Sequence, residues 1–463
     1  MTSVQKTISP VDGSVYCERL LAPAEQIDAA LDLAVKAQRA WRATSIDERA
    51  RICSRFCDLF EASKDEIARE LTWQMGRPVR YTPSEVNGTL ERARHMIKIA
   101  AEALADIDPG PKDGFRRFMR REPLGVVFTV AAWNYPYLIA VNSVVPAIMA
   151  GNAVVLKHSA QTPLCAERFA ACFSEAGLPP GVFQALHLSH EDTEKVVRDK
   201  RVDFIAFTGS VAGGHAIQQA AASRFVGVGL ELGGCDPAYV RQDANLGHAI
   251  ENLVDGAFFN SGQSCCGIQR IYVHQKLYRN FIDGAASLTK KYVLGDPNDE
   301  ATTLGPVVRT AAADHIRRQI EASTRYGARS MVSEESFPQS RAGTPYLAPH
   351  LLADVNHSMT VMREEIFGPV VGVMPVTGDD EAVRFMNDSA FGLTAVIWTE
   401  DTDAAVAIGD RINTGTWFMN RCDYLDPALA WVGVKDSGRG CTLSTVGYEH
   451  LTRPKSFHLR TRT

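Results

Sequence analysis

Four short apolar runs between residues 126 and 207 constrain the fold of this chain more than any other feature of its sequence. Helical segments lie between the runs, which cover residues 126–130, 153–156, 182–186 and 204–207. Such runs are typical of strands buried on both faces, and strands that alternate with helices predict a parallel sheet covered by helices on both sides. In such a sheet, ligands bind beyond the carboxyl ends of the strands.

The length of the chain predicts more than one domain. A chain of 463 residues is too long for one simple core, so two or three domains are expected. Residues 24–105 show helical apolar spacing, with capping patterns at Ser45 and Ser63 and a break at Gly76. Residues 393–399 and 404–412 predict a further strand and helix, hence a second α/β unit.

Charge and composition argue against several classes of protein. A net charge of −5 gives no basic surface for nucleic acid. The N-terminus shows no apolar signal-peptide core, and the uncharged run 123–156 is interrupted by Asn, Pro and Gly, which argues against a membrane span. The ten cysteines have no disulfide or metal-ligand spacing, so we expect reduced thiols, no bound metal and a cytoplasmic location.

Polar residues follow three of the predicted strands at the edge where a ligand is expected. Trp133 and Asn134 come after the first run and Lys157 after the second. Gly209 and Ser210 come after the fourth run, in a glycine-rich turn before a helix. Backbone amides of such a turn bind phosphate, although the usual Gly-x-Gly-x-x-Gly fingerprint is absent and many glycine turns are only turns.

The segment 259–266 carries two adjacent cysteines after a run of small residues. Its sequence is Phe-Asn-Ser-Gly-Gln-Ser-Cys-Cys, which predicts a tight turn that leaves a side chain open to a ligand. An open thiol is a candidate nucleophile. The alternative is that Cys265 and Cys266 are buried and inert, as most free cysteines are.

Two further motifs give the chain a recognisable pattern. Glu231 lies in Leu-Glu-Leu-Gly-Gly upstream of Cys265, and Glu365 and Phe367 lie in Glu-Glu-Ile-Phe-Gly-Pro downstream. Over nearly its whole length the chain resembles the aldehyde dehydrogenase superfamily. The resemblance implies a Rossmann-like cofactor domain (1–107 and 124–235), an α/β catalytic domain (236–440) and an oligomerisation β-extension (108–123 and 441–463).

The resemblance also implies roles for three residues in catalysis. Cys265 matches the family's nucleophile, which forms a thiohemiacetal and then a thioester with the aldehyde. The side-chain amide of Asn134 and the backbone N–H of Cys265 match the oxyanion hole. Glu231 matches the general base that activates water for hydrolysis of the thioester.

For the cofactor, the resemblance implies NAD or NADP. Trp133 and Phe367 match residues near the nicotinamide, Glu365 matches the ligand of its ribose, and Gly209 and Ser210 lie at the pyrophosphate. Lys157 matches the ligand of the adenine ribose. Ala160 stands where relatives often have an acid that excludes the 2′-phosphate, which leaves NADP open.

The substrate and the partner are less constrained. The tunnel candidates suit an apolar or aromatic aldehyde, and they are Tyr135, Tyr137, Asn142, Ser264, Cys266, Trp417, Asp423 and Tyr424. The segment 430–433 departs from the family's Pro-Phe-Gly-Gly and predicts an unusual pocket. A semialdehyde requires a cation for its carboxylate, and Arg270 and Arg421 are the candidates. The resemblance implies a homodimer or homotetramer.

Two alternatives to a hydrolytic enzyme remain open. A CoA-acylating dehydrogenase uses CoA instead of water to release the thioester, and such relatives lack the acid that Glu231 matches. A non-enzymatic binding protein on the same fold is the other alternative, because a fold alone does not establish activity.

Overall fold

The structure is a computed structural model that describes residues 3–462. Its first part contains a β-hairpin, four helices and one long strand, namely β1 (Val4–Ile8), β2 (Val15–Leu20), α1 (Ala24–Trp41), α2 (Ile46–Ala62), α3 (Lys64–Met75), α4 (Thr82–Ala103) and β3 (Phe115–Pro123). Strands β1 and β2 pair antiparallel.

The second part alternates strands and helices as the sequence predicts. It consists of β4 (Val126–Ala131), α5 (Pro136–Ala150), β5 (Ala153–His158), α6 (Pro163–Glu175), β6 (Phe183–Ala185), α7 (His190–Arg198), β7 (Phe204–Thr208), α8 (Val211–Ala221) and β8 (Gly227–Glu231). The five strands pair parallel in the order β8-β7-β4-β5-β6.

The third part forms a second sheet and adds one further strand to the first sheet. Its elements are β9 (Asp236–Val240), α9 (Leu246–Phe258), β10 (Ile268–His274), α10 (Tyr278–Thr289), α11 (Thr310–Arg325), β11 (Arg329–Ser330), β12 (His350–Ala353), β13 (Val370–Val376), α12 (Asp379–Asn387), β14 (Phe391–Gly392), β15 (Thr394–Trp398), α13 (Thr402–Gly409), β16 (Thr416–Met419), β17 (Val434–Lys435), β18 (Gly438–Arg439), α14 (Ser444–His450) and β19 (Thr452–Arg460). Short 3₁₀ turns cover Phe259–Gly262, Glu334–Ser336 and Thr360–Met362.

The second sheet has the order β11-β12-β13-β10-β9-β15-β16 and is parallel except at β11. Helices α9 and α10 contribute to the core on one of its faces, and α11, α12 and α13 to the core on the other. Around the first sheet, α2, α4, α5 and α6 share one core, and α1, α7 and α8 share another. The predicted α/β class, with buried parallel strands, is confirmed.

The N-terminal helices begin and end largely where local signals predict. Ser45 caps α2 by accepting the Glu48 backbone N–H at 3.2 Å. Ser63 marks the start of α3, but its hydroxyl donates to the Leu59 carbonyl because only one residue separates the two helices. Gly76 ends α3 with a φ of 81°, and an added Cβ there would lie 2.8 Å from a Pro306 side-chain atom.

Two peripheral pairings complete the fold. Strand β18 joins the first sheet antiparallel to β8, and it sets Gly438 opposite Glu231. Strands β3 and β19 form a separate ribbon with nine paired positions, in which Phe118 stacks on Phe457 with ring centroids 4.4 Å apart. Across residues 3–462 there is no helix with the length and apolar character needed to span a bilayer.

Candidate active site

The cysteine pair follows a strained turn at the end of α9. Asn260 and Ser261 have φ values of 52° and 56°, and Gly262 has 70°. Gly262 approaches the neighbouring backbone so closely that an added Cβ would lie 2.1 Å from the Gly368 carbonyl oxygen. The Gln263 side chain accepts the Val308 N–H at 2.7 Å. Contacts with residues outside the turn therefore fix its backbone just before Cys265.

The two cysteines have different surroundings. Cys265 is half-buried and lines a cavity of about 670 Å³. Cys266 is buried, and its Sγ donates to Asp423 Oδ1 at 2.9 Å. A hydrogen bond with Cys265 and burial together raise the pKa of Cys266 well above that of an ordinary thiol. Cys265 is thus the more exposed thiol of the pair.

Glu231 lies at the end of β8 and lines the same cavity as Cys265. Its Oε1 accepts the Thr442 hydroxyl at 2.6 Å. Burial raises the pKa of Glu231 above its usual range, while the Thr442 hydrogen bond and the charge of Arg92 act in the opposite direction. The carboxylate therefore has one fixed donor and an open side toward the cavity.

Asn134 lies in the loop after β4 and is buried. Its side-chain Nδ2 donates to the Gln263 carbonyl at 3.2 Å, two residues before Cys265. Its own backbone carbonyl accepts from Arg77 Nη2 at 2.9 Å and from Asn260 Nδ2 at 3.1 Å. The amide is therefore fixed beside the cysteine turn, and one of its two N–H groups has no acceptor among the described residues.

A buried ion pair supports this loop. Arg77 Nη1 lies 2.5 Å from Glu85 Oε2, and both side chains are almost fully buried. Glu85 Oε1 also accepts the Tyr137 N–H at 2.9 Å. The Gly-Arg-Pro sequence around Arg77 predicts only the end of a helix. It does not reveal the role of Arg77, because the partner Glu85 lies on α4 and the other acceptors of Arg77 lie far along the chain.

Most of the tunnel candidates line the cavity, and two do not. The ones that do are Tyr135, Asn142, Ser264, Cys266, Asp423 and Tyr424. Tyr137 is wrong as a candidate, because it packs in the core against Phe60 with ring centroids 5.0 Å apart. Trp417 is also wrong, because its indole packs against α13 and donates to the Ala405 carbonyl at 3.0 Å.

The two arginines that were predicted to bind a substrate carboxylate do not line the cavity either. Arg270 is fully buried and donates to backbone carbonyls, including that of Cys235 at 2.8 Å. Arg421 is exposed, and its guanidinium lies over the Tyr424 ring. The cavity instead contains Arg92, which sequence reasoning missed because α4 shows only the pattern of a helix that covers a sheet.

Some of the predicted cofactor residues follow strands of the first sheet, and the others, Glu365 and Phe367, lie in the loop before β13. Trp133 meets Phe367 edge to face, with ring centroids 5.6 Å apart. Glu365 accepts the Gly234 N–H at 3.0 Å, and burial raises its pKa to about 7. Ser210 caps α8 by accepting the Gly213 N–H at 3.2 Å, and Gly209 comes directly before it.

Comparison with known proteins decides the family. The sequence model described as "Aldehyde dehydrogenase family" matches residues 2–457. The chain belongs to the aldehyde dehydrogenase family. The predicted family and enzyme class are confirmed by this match.

Individual relatives cover nearly the whole of this aldehyde dehydrogenase. The succinate semialdehyde dehydrogenase (NAD(P)+) Sad of Escherichia coli is 33% identical over 95% of each chain. An NAD-dependent aldehyde dehydrogenase from Sinorhizobium meliloti superposes with a TM-score of 0.95 and 31% identity, covering 99% of this chain and 92% of that one. Succinic semialdehyde dehydrogenase from Streptococcus pyogenes, solved with NADP+, has a TM-score of 0.94 and 27% identity, covering 98% and 100% of the two chains.

The donor set of this aldehyde dehydrogenase fits a nicotinamide dinucleotide. Lys157 is buried at the end of β5, and its ammonium has no acceptor within residues 3–462, which is costly unless a ligand supplies one. Burial lowers the pKa of Lys157. The Val211 and Ala212 N–H groups at the start of α8 have no acceptor within residues 3–462 and can receive phosphate, and Glu365 has an oxygen available for a ribose hydroxyl.

Proposed function

We propose that this enzyme oxidises an aldehyde to a carboxylic acid by covalent catalysis at Cys265 followed by hydrolysis. Its cofactor is NAD or NADP. The observation that carries the proposal is that Cys265 and Glu231 line one cavity, with Cys265 accessible and Cys266 bound to Asp423. This arrangement supports a nucleophile and a base that act on one reacting carbon.

In the first step, the Cys265 thiolate attacks the aldehyde carbon, a C–S bond forms, and the π electrons move to oxygen. The Asn134 amide and the Cys265 N–H stabilise the resulting oxyanion of the thiohemiacetal. A nicotinamide dinucleotide held by Lys157, Ser210 and Glu365 would supply the acceptor for the hydride that leaves this carbon. An acyl thioester then remains on Cys265.

In the second step, Glu231 removes a proton from water, and the hydroxide attacks the thioester carbon. The C–S bond breaks, the Cys265 thiolate is released, and the carboxylic acid departs. Thr442 orients the carboxylate through its 2.6 Å hydrogen bond. Aldehyde, oxidised cofactor and water thus become acid, reduced cofactor and a proton.

The candidate substrates are an apolar or aromatic aldehyde and a semialdehyde. Apolar side chains such as Leu138, Leu425 and Trp431 line the cavity and favour the first class. The buried Arg92 in the same cavity favours the second class. Relatives named as succinate semialdehyde dehydrogenases also support a semialdehyde.

The test is turnover of the purified protein, followed by absorbance of the reduced nicotinamide, with NAD+ or NADP+ and a panel of these aldehydes. We expect one acid for each reduced cofactor, without any need for CoA. Turnover that requires CoA would support the acylating alternative. Absence of turnover together with absence of cofactor binding would support the non-enzymatic alternative.

Removal of the Asn134 amide tests the oxyanion hole. We expect Asn134→Ala to lower kcat by about 10²–10³-fold with a smaller effect on KM, because the donor acts mainly on the developing charge. Steady-state kinetics measures both parameters, and circular dichroism checks that the loop held by Asn134 still folds. A folded variant with unchanged kcat would restrict Asn134 to a structural role.

Cofactor preference depends on residue 160. Ala160 is exposed after β5, so a larger side chain fits there. We expect Ala160→Glu to lower kcat/KM for NADP+ by about 100-fold, because a carboxylate repels the 2′-phosphate, and to affect NAD+ much less. Ala160→Gln is the matched neutral control. Equal losses with both cofactors would show that position 160 does not face the adenine ribose.

We infer that the chain forms a homodimer or homotetramer through the ribbon of β3 and β19. Apart from isolated bridges at Phe115 and Met119, the outer edges of this two-stranded ribbon have no strand partner within residues 3–462, and isolated two-stranded ribbons are marginally stable. Sedimentation analysis of the protein tests this.

We also propose the domain boundaries predicted from the sequence. A cytoplasmic location is proposed as well, since the ten cysteines of the chain are free thiols.

A further inference from the structure

Arg92 is a buried cation that lines the cavity beside Cys265. It is 8% exposed, and its Nη1 donates to the Leu138 carbonyl at 3.0 Å and to Asn142 Oδ1 at 3.2 Å. In the part of the chain that the structure describes, Arg92 has no carboxylate partner, and its Nε and Nη2 groups have no acceptor. A buried guanidinium in this state is costly unless a ligand supplies the missing acceptor.

Within residues 3–462, no acid around the cavity forms a hydrogen bond or a direct ion pair with Arg92, although the charge of Glu231 acts on it. Arg77 is already paired with Glu85. Glu231 accepts the Thr442 hydroxyl. Asp423 accepts from the Ser264 hydroxyl and the Cys266 thiol, so both acids are engaged by other groups. Two further acids of the cavity lining, Glu91 and Asp255, are exposed to solvent, which screens them.

Asn142 completes the donor set. Its Oδ1 accepts from Arg92, so its Nδ2 is left as a donor, and no acceptor for Nδ2 occurs within residues 3–462. Asn142 also lines the cavity. An arginine with free N–H groups beside a free amide N–H matches the two oxygens of a carboxylate.

We propose that Arg92 and Asn142 bind the carboxylate of the substrate, which is a semialdehyde with an acid group at the end opposite to the aldehyde. This inference rests on the proposed function, because it places the aldehyde at Cys265. The cavity of about 670 Å³ has room for both ends of such a molecule. Arg92 and Asn142 then determine specificity without taking part in the chemistry.

The kinetic test compares succinic semialdehyde with butanal, which has the same chain length and no charge. We expect Arg92→Leu to raise KM for the semialdehyde by about 100-fold with little change in kcat, because a charge-assisted hydrogen bond is lost. KM for butanal should stay the same or fall. Arg92→Lys should restore part of the semialdehyde affinity, because it keeps the charge.

Two further variants separate recognition from folding. Arg94→Leu on the same helix changes an exposed arginine that pairs with Glu61, and it should leave both KM values unchanged. Asn142→Asp keeps Arg92 but places a carboxylate beside it, which neutralises its charge locally. This variant should therefore raise KM for the semialdehyde selectively. Equal changes in KM for both aldehydes in folded Arg92 and Asn142 variants would overturn the proposal and restrict Arg92 to a structural role.

Direct binding distinguishes this inference from the proposed function. Calorimetry with glutarate and with uncharged glutaramide needs no turnover. We expect glutarate to bind the wild-type enzyme and to lose about 100-fold in affinity in Arg92→Leu, while glutaramide binds weakly to both. Turnover of butanal without Arg92-dependent glutarate binding would overturn the carboxylate site alone. Arg92-dependent binding without any turnover would overturn the proposed function alone.

Discussion

Replacement of Cys265 by serine is expected to lower kcat by about 10⁴-fold or more for every aldehyde, because the covalent step is lost. A serine hydroxyl is far weaker as a nucleophile than a thiolate unless a base takes its proton. The carboxylate beside this turn, Asp423, accepts from Ser264 and Cys266, and no hydrogen bond joins the Cys265 side chain to a base within residues 3–462. Absorbance of reduced nicotinamide measures the loss, and calorimetry with the cofactor shows that the variant still binds it.

Cys266→Ser is the informative comparison for this experiment. A serine at 266 keeps the hydrogen bond to Asp423, so the covalent step at Cys265 should survive. Cys17→Ser, on β2 in the N-terminal hairpin, controls for the loss of any one thiol. An active Cys265→Ser variant together with an inactive Cys266→Ser variant would show that Cys266, and not Cys265, is the nucleophile.

Much of the fold follows from local patterns in the sequence. The runs at 126–130 and 153–156 become β4 and β5, since a strand covered on both faces must be apolar at every position. The run at 182–186 yields only the short β6, Phe183–Ala185, which lies at the sheet edge. The two-residue strands β17 and β18 are too short to contain an apolar run that would predict them; β17 pairs with β14 in a small separate sheet, and β18 joins the first sheet at β8.

The candidate site is harder to predict than the fold because its members come from distant segments. The motifs around Glu231 and Cys265 single out both residues, and the structure places them on one cavity. Thr442 lies in the segment predicted for oligomerisation, but it contacts Glu231 because β18 pairs with β8 just before it. Such a contact depends on sheet topology, which the local sequence does not contain.

The local sequence also does not contain the direction in which a side chain points. Tyr135 and Tyr137 are two residues apart at the start of α5, yet Tyr135 lines the cavity and Tyr137 packs in the core. Tyr135 precedes the helix with a φ of −138° and a ψ of 67°, whereas Tyr137 lies in its first turn, so the local sequence does not reveal that their side chains diverge. Arg92 is the converse case, because its position in an amphipathic helix gives no indication that the helix also borders a cavity.

Replacement of Glu231 by glutamine should separate the two halves of the reaction. We expect the first turnover to stay fast, with a burst of one reduced cofactor per active site, and the steady rate to fall by about 10²–10⁴-fold. Glutamine keeps the size and the Thr442 contact but cannot accept a proton from water. The thioester should therefore accumulate, and mass spectrometry should find the acyl group on the peptide that contains Cys265.

Chemical rescue and pH dependence test the same role independently. Hydroxylamine attacks a thioester without a general base, so it should restore turnover in Glu231→Gln and release the hydroxamate. Because burial raises the pKa of Glu231 and the base must be deprotonated, the wild-type steady rate should fall as the pH drops through that raised pKa. The glutamine variant should lack this acidic limb. A variant with neither burst nor rescue would show that Glu231 acts before the thioester forms, which contradicts its assignment as the hydrolytic base.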